Sequence, residues 1–239
     1  MGRDRIIVAL DVDSVEEAVA LVGKLRESVC AFKIGLELVN AGGVGIFQAV
    51  REAGAKRIFY DCKFHDIPNT IAGASRAAAR LGVWMFNVHC SGGSAMMRAA
   101  AEAAAESSKS SECEPPLVIG VTVLTSIDQA TFNDELCTEG GIAEHVVHLA
   151  KLAKNAGLDG VVASPHEISV IRQACGEDFL IVTPGVRPAG WDVGDQKRVT
   201  TPAEAVRLGA DYLVIGRPIT RSSDPAKAAA DIAAEIDSV

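Results

Sequence analysis

The sequence predicts an α/β protein, a single (β/α)8 TIM barrel spanning residues 1–239. Two observations carry that expectation. Eight short apolar, β-branched runs recur at intervals of about thirty residues, each followed by a longer stretch with helical spacing, which is the pattern of parallel strands joined by helices. The residues that close those runs are strongly polar, as suits a fold whose active sites form at the carboxyl ends of its strands. An open doubly wound sheet is the rival, but it usually has fewer units at this length and a glycine-rich first turn.

The strand candidates are residues 6–10, 31–36, 58–60, 85–88, 117–124, 160–163, 179–183 and 212–215. Between them lie helix candidates at 15–25, 45–53, 68–81, 94–106, 142–155, 166–175, 202–208 and 225–236. Ser14 ahead of Val15-Glu16-Glu17 has the hydroxyl and early acids of a helix N-cap, and Pro68, Pro202 and Pro225 suit first-turn positions. The cluster Gly42-Gly43-Val44-Gly45 does not directly follow an apolar strand and lacks the third glycine of a dinucleotide fingerprint, so it is expected to be loop. The polar stretch 107–116, with paired prolines, is expected to be a solvated loop, because the β/α rhythm continues after it.

Composition narrows the function classes. With 49% hydrophobic residues the chain can bury a large core, and its formal net charge of −8 argues against general nucleic-acid binding or attraction to anionic lipid. The run Ile6-Ile7-Val8-Ala9-Leu10 stops at Asp11, too short for a signal-peptide core or a membrane span. Six cysteines are scattered with no CxxC pair, so neither a zinc site nor a disulfide framework is expected. A cytoplasmic protein with reduced thiols, no metal and no membrane partner is the expectation.

The stretch Asp61-Cys62-Lys63-Phe64-His65-Asp66-Ile67-Pro68-Asn69-Thr70 is the strongest candidate for chemistry. In a strand Asp61 and Lys63 project to one side and Cys62 to the other, with Asp66 just past the strand end. Charges of alternating sign after a buried run are costly unless they pair or handle a charged ligand; a structural ion pair at a strand end is the plainer alternative. Lys33, in another apolar run, needs an anionic partner, and Asp61 is one candidate. Asp11 and Asp13, His89, Thr122 and Thr125, Ser164, Pro184 to Gly185, and Gly216-Arg217 close the other runs. Among these, His89 also suits a hydrogen-bonded barrel position, and Asp13 a helix entry.

The seventh and eighth units carry the makings of a phosphate site, since this fold often binds phosphate there. Gly216 allows close backbone approach to an anion, and Arg217 offers a charged fork to two phosphate oxygens. Arg187 and Gln196 bracket residues 188–195, long and glycine-containing enough to fold over a ligand, although an ordinary surface loop with two basic residues reads the same way.

These residues bring a known family into view. Asp61 to Thr70, DCKFHDIPNT, resembles the DxKxxDIPxT signature of the orotidine 5′-phosphate decarboxylase family, and IIVALDVD, FKIGLEL, NVHCSGG, VTVLTS, TPGVRP with GDQKRV, and VIGRPI resemble its bacterial form over nearly the whole chain. Cys62 stands where leucine is common and Cys90 where alanine is common; Cys62 is expected to face the helices. The resemblance implies cofactor-independent decarboxylation of orotidine 5′-phosphate to uridine 5′-phosphate and CO2 in pyrimidine synthesis. It implies that Lys63 protonates C6 within a Lys33, Asp61, Lys63 and Asp66 network, and that Asp11 and Lys33 meet the ribose and Thr125 the pyrimidine. It places Pro184 in the substrate site and Arg187, Gln196, Gly216 and Arg217 around the phosphate. It further implies a homodimer in which Asp66, Ile67 and Thr70 enter the neighbour's site. A magnesium-dependent sugar-phosphate decarboxylase or aldolase of the same superfamily, a non-catalytic phosphometabolite-binding barrel, and Schiff-base chemistry at Lys63 are the alternatives.

Overall fold

Ile6–Ala9 forms strand β1 and pairs in parallel on both sides, with Ala31–Ile34 (β2) and with Tyr212–Ile215 (β8). The remaining strands follow in chain order, namely Ile58–Phe64 (β3), Met85–His89 (β4), Leu117–Val121 (β5), Gly160–Val162 (β6) and Leu180–Pro184 (β7). Because β8 returns to β1, the eight parallel strands close a barrel. The structure is a computed structural model and describes residues 1–109, 114–188 and 200–239.

Strand alternation divides the core into two parts. Ile7, Ala9, Ala31, Phe59, Met85, Ile119, Val182 and Val214 fill the barrel interior. The residues between them, among them Ile6, Val8, Phe32, Ile34, Ile58 and Phe86, pack outward against the helices. Strands buried on both faces therefore read as continuous apolar runs, which is why they were conspicuous in the sequence. Each fully buried large side chain contributes about 1.5–3 kcal/mol by leaving water, so the two layers together dominate the stability.

The surrounding helices are Val15–Leu25 (α1), Leu36–Gly42 (α2), Gly45–Glu52 (α3), Pro68–Arg80 (α4), Gly93–Lys109 (α5), Ile142–Asn155 (α6), Ile168–Cys175 (α7), Pro202–Arg207 (α8), Arg217–Thr220 (α9) and Pro225–Asp237 (α10). The Ser14 hydroxyl accepts from the Glu17 N–H at 3.2 Å, and Pro68, Pro202 and Pro225 open their helices as expected. Five cysteines among the described residues are free thiols.

Several boundaries differ from expectation for local reasons. The second strand stops at Ile34, and Leu36, expected inside it, opens α2 with its side chain half exposed. Gly42 to Gly45 is a helix junction and no open loop: Gly42 ends α2, Gly43 adopts φ +62°, and Gly45 begins α3. Strand β5 ends at Val121, where the Thr122 hydroxyl donates to the Val162 carbonyl at 3.0 Å. A 3₁₀ turn, Pro165–Glu167, precedes α7, and a single π-helical turn, Thr131–Glu135, lies between β5 and α6. Residues 107–109 belong to α5, while 110–113 lie outside the described residues.

The departure that matters most is in β3. It continues four residues past the expected end, and its register with β4 jumps from Tyr60 opposite Phe86 to Phe64 opposite Val88. Three residues, Asp61, Cys62 and Lys63, thus stand against one, Asn87. Lys63 takes φ +47°, a left-handed conformation that costs a non-glycine residue about 1–2 kcal/mol. On the outer side Tyr60 and Phe64 meet edge to face at 5.8 Å, between Phe47 and Phe86. That aromatic row anchors both ends of the bulge.

Candidate active site

One step above the apolar interior, the segment just past β1 carries Asp11, and β2 to β4 carry Lys33, Asp61 and Asn87, two residues beyond Ala9, Ala31, Phe59 and Met85 respectively. The period-2 repeat of the strands thus lays a polar layer directly on an apolar one. Lys33 Nζ lies 3.0 Å from Asp11 Oδ1 and 3.2 Å from Asp61 Oδ2. Lys63 Nζ lies 2.6 Å from Asp61 Oδ1, and Asn87 Nδ2 donates to the same oxygen at 2.8 Å. The result is an unbroken row of alternating charge, Asp11, Lys33, Asp61, Lys63.

Burial alone would discharge Lys33 and Asp61. Desolvation works to discharge Lys33, but the carboxylates of Asp61 and Asp11 outweigh it and hold the ammonium above the ordinary lysine range. Desolvation likewise pushes the Asp61 carboxyl up; the Lys33 and Lys63 ammonium groups and the bonds from Lys63 and Asn87 overcome it and hold Asp61 below the usual carboxylate range. Both groups are therefore charged throughout the neutral range. Cys62 turns away from the row into the apolar shell under the helices, where burial pushes its thiol up to about 12. It is an inert packing residue.

The other half of the mouth is a cavity of about 760 Å³ at the ends of β5 to β8, lined by Val123, Thr125, Ser164, Glu167, Pro184 and Arg217 among others. That size suits a small organic ligand. Gly216 joins the two halves: a Cβ there would lie 3.5 Å from Ala9 Cβ and 3.8 Å from Asp11 Oδ2. Arg217 begins α9 and is exposed at the cavity. Arg187 is nearly buried, its N–H donating to the Thr200 carbonyl at 3.1 Å and its Nη1 to the Val186 carbonyl at 2.9 Å. Gln196, with the rest of 189–199, lies outside the described residues.

Not every candidate joins the row. Asp66, Ile67 and Thr70 are exposed beyond the end of β3, Ile67 by 66%. Asp66 Oδ1 accepts from the Ile67 N–H at 2.6 Å and, among the described residues, makes no ion pair with Lys33 or Lys63 in this chain. Asp13 is exposed, and Thr122 serves the strand edge. His89 is half-buried and lies against His65, the rings tilted by 42° with centroids 5.3 Å apart; burial first, then His65 and Lys63, push its pKa down.

Three contributors escaped sequence reasoning. Asn87 was hidden in an apolar run, although its position two residues before His89 and two after Met85 marks it as inward-facing. Gly35 sits where a Cβ would come within 3.1 Å of Lys33 Nζ, a close approach that no local motif announces. Glu167 caps the turn after β6, its Oε2 accepting from the Ser164 N–H at 2.9 Å, and burial pushes its carboxyl up to about 7. The Ser-x-x-Glu spacing of a capping box was its legible signal.

Fold and geometry together define a (β/α)8-barrel enzyme with a buried lysine–carboxylate centre at the carboxyl ends of its strands. Comparison with known proteins narrows the class. A family model described as Orotidine 5'-phosphate decarboxylase / HUMPS family matches residues 4–232, and the chain belongs to that family. The orotidine 5'-phosphate decarboxylase of Moorella thermoacetica is 55% identical over 238 residues, covering 100% of this chain and 94% of that protein. That of Syntrophomonas wolfei is 48% identical over 237 residues, covering 99% of each. Among solved structures, orotidine 5'-phosphate decarboxylase from Lactobacillus acidophilus superposes with a TM-score of 0.86 at 37% identity, covering 97% of this chain and 98% of that one.

Proposed function

We propose that this protein is a decarboxylase that converts orotidine 5′-phosphate to uridine 5′-phosphate and CO2 in pyrimidine biosynthesis, without a metal or organic cofactor. The observation that carries the reading is the Asp11, Lys33, Asp61, Lys63 row, built on the family's signature stretch in a chain about half identical to relatives of that name.

The chemistry follows from the charges. When the bond from C6 to the carboxylate breaks, its electron pair stays on C6, where the pyrimidine ring gives little relief. An ammonium fixed beforehand beside that carbon stabilises the developing charge without reorganising at the moment of reaction. Lys63 is that group: its N–H proton passes to C6, and the amine left behind recovers a proton from solvent. Asp61 holds Lys63 and stands next to the departing carboxylate. Lys33 keeps Asp61 ionised and, with Asp11, faces the ribose hydroxyls. Thr125 meets the pyrimidine in the cavity, with Pro184 in the substrate site, and Arg187, Gln196, Gly216 and Arg217 are the residues assigned to the phosphate. Phosphate contacts far from C6 supply binding energy for closing the site and excluding water.

Asp66, Ile67 and Thr70 complete the site of a second copy in a homodimer. The exposure of Ile67 beside Asp66, away from this chain's own row, supports that arrangement. No helix among the described residues is long and apolar enough to cross a membrane, and the free thiols suit the cytoplasm.

The test is turnover of orotidine 5′-phosphate, followed by ultraviolet absorbance after chelator treatment, for the native chain and for Lys63→Ala. Activity that survives chelation and collapses in the variant, with uridine 5′-phosphate still bound, supports the reading. Activity on a sugar phosphate that returns only with magnesium would replace it. Mixing Lys63→Ala with Asp66→Ala tests the dimer: a shared site regains activity in mixed dimers, since one of their two sites is then intact, whereas self-contained sites stay dead.

A further inference from the structure

We propose that Asn87 is a positioning residue that folds the β3 bulge around itself and so aims Lys63 and Asp61 at the reacting carbon. The inference rests on the decarboxylase reading above and adds a residue that does not itself face the substrate.

Asn87 is 1% exposed and meets each of the three bulged residues opposite it. Its Oδ1 accepts from the Lys63 N–H at 2.7 Å, its Nδ2 donates to Asp61 Oδ1 at 2.8 Å, and its backbone carbonyl accepts from the Cys62 thiol at 3.1 Å. The chemistry of the partners fixes the amide's orientation: an N–H needs the oxygen, and a carboxylate needs the NH2. In a regular ladder the β4 backbone would serve a β3 N–H at this level. Here the side-chain amide stands in for that backbone and satisfies a donor that the left-handed turn at Lys63 would otherwise leave orphaned in the barrel. One side chain therefore sets both the direction of the lysine stem and the position of the carboxylate that receives its ammonium. An error of about 1 Å in such an arrangement can cost about a hundredfold in rate.

Asn87→Ala and Asn87→Asp, each compared with the native chain, separate positioning from packing. Asn87→Ala is expected to lower kcat about a hundredfold while uridine 5′-phosphate affinity stays within about threefold. Asn87→Asp keeps the volume but sets a carboxylate against Asp61 at pH 8; near pH 6 the new carboxyl takes a proton, again offers a donor to Asp61 and an acceptor to the Lys63 N–H, and regains about tenfold or more of the loss. Asp11, Lys33, Asp61, Cys62, Lys63, His65 and His89 are the titratable groups around the position; the Cys62 thiol, pushed up to about 12, stays protonated across this range, and the variant-to-native ratio at each pH corrects for the titration of the others. Thermal midpoints report the folded fraction. Variants within about threefold of native kcat, or losses that follow the folded fraction with no recovery at lower pH, would overturn the proposal. A native chain that does not turn over the nucleotide sinks the decarboxylase reading and this inference together; an active native chain with indifferent variants sinks the inference alone.

Discussion

Lys63 places its ammonium 2.6 Å from Asp61 Oδ1 while its own backbone is left-handed, at φ +47°. The residue proposed to carry the proton thus holds a conformation that favours glycine. Lys63→Gly is expected to be about 1 kcal/mol more stable than Lys63→Ala by urea denaturation, because both lose the side chain and only glycine relieves the backbone. Both are expected to lose nearly all turnover. Equal stability of the two would show that the bulge relaxes once the side chain is gone.

Gly35 leaves room for the ammonium of Lys33. A Cβ there would approach Nζ to 3.1 Å and Asp11 Oδ1 to 3.7 Å, and Nζ is tied on both sides by carboxylates. Gly35→Ala is expected to reduce kcat/KM about tenfold or more with little change in thermal midpoint, since the crowding falls on the ion pairs and leaves the core intact. Steady-state kinetics checks it; an unchanged kcat/KM would mean that Lys33 shifts without consequence.

Arg217 provides a separable test of the proposed phosphate end. Hydrogen bonds to a charged group contribute about 1.5–3 kcal/mol, so Arg217→Ala should raise KM for the nucleotide by about ten- to a hundredfold. Hydrolysis of orotidine 5′-phosphate to its nucleoside removes the partner, and turnover of that nucleoside should not respond to the substitution. A nucleoside that suffers equally would move Arg217 away from the phosphate.

Glu167 should impose a pH dependence on stability. Its folded pKa is raised from 4.5 to about 7, chiefly by burial. Between those values the folded protein keeps a proton that the unfolded chain has lost, so stability falls as pH rises through that window and is level above it. The expected change is on the order of 2–3 kcal/mol, and Glu167→Gln, whose amide oxygen can still accept from the Ser164 N–H, should abolish it. Urea midpoints from pH 5 to pH 8 for both proteins decide the matter; a native curve parallel to the variant's would exclude the effect.

The barrel was legible because each β/α unit announces itself locally: a two-sided buried strand is a continuous apolar run, and caps such as Ser14 and Pro68 mark where helices begin. Asp61, Lys63 and Lys33 were legible because charges in apolar runs demand partners. What stayed hidden depends on register. Alternation along a regular strand does not disclose that three residues of β3 face a single asparagine, nor that Lys63 turns left-handed, because both follow from pairing with β4. Gly35 looked like a strand residue for the same reason: its neighbour Lys33 is fixed by Asp11 and Asp61 on two other strands. The trans contributions proposed for Asp66, Ile67 and Thr70 rest on the family resemblance, and one chain's own geometry adds only their exposure away from the charged row, since a partner's surface would decide them.

Beneath the charged row the barrel is stoppered by Phe59, Met85, Ile119, Val182 and Val214, with Trp84 and Tyr212 packed against them. Among the described residues, the floor of the reaction chamber is lined by hydrocarbon side chains. On the reading proposed above, the doorway at the strand ends that admits the nucleotide also releases carbon dioxide and admits the proton that restores Lys63. Traffic through one opening makes the timing of that doorway, as much as the breaking of the bond, a candidate for what paces each cycle.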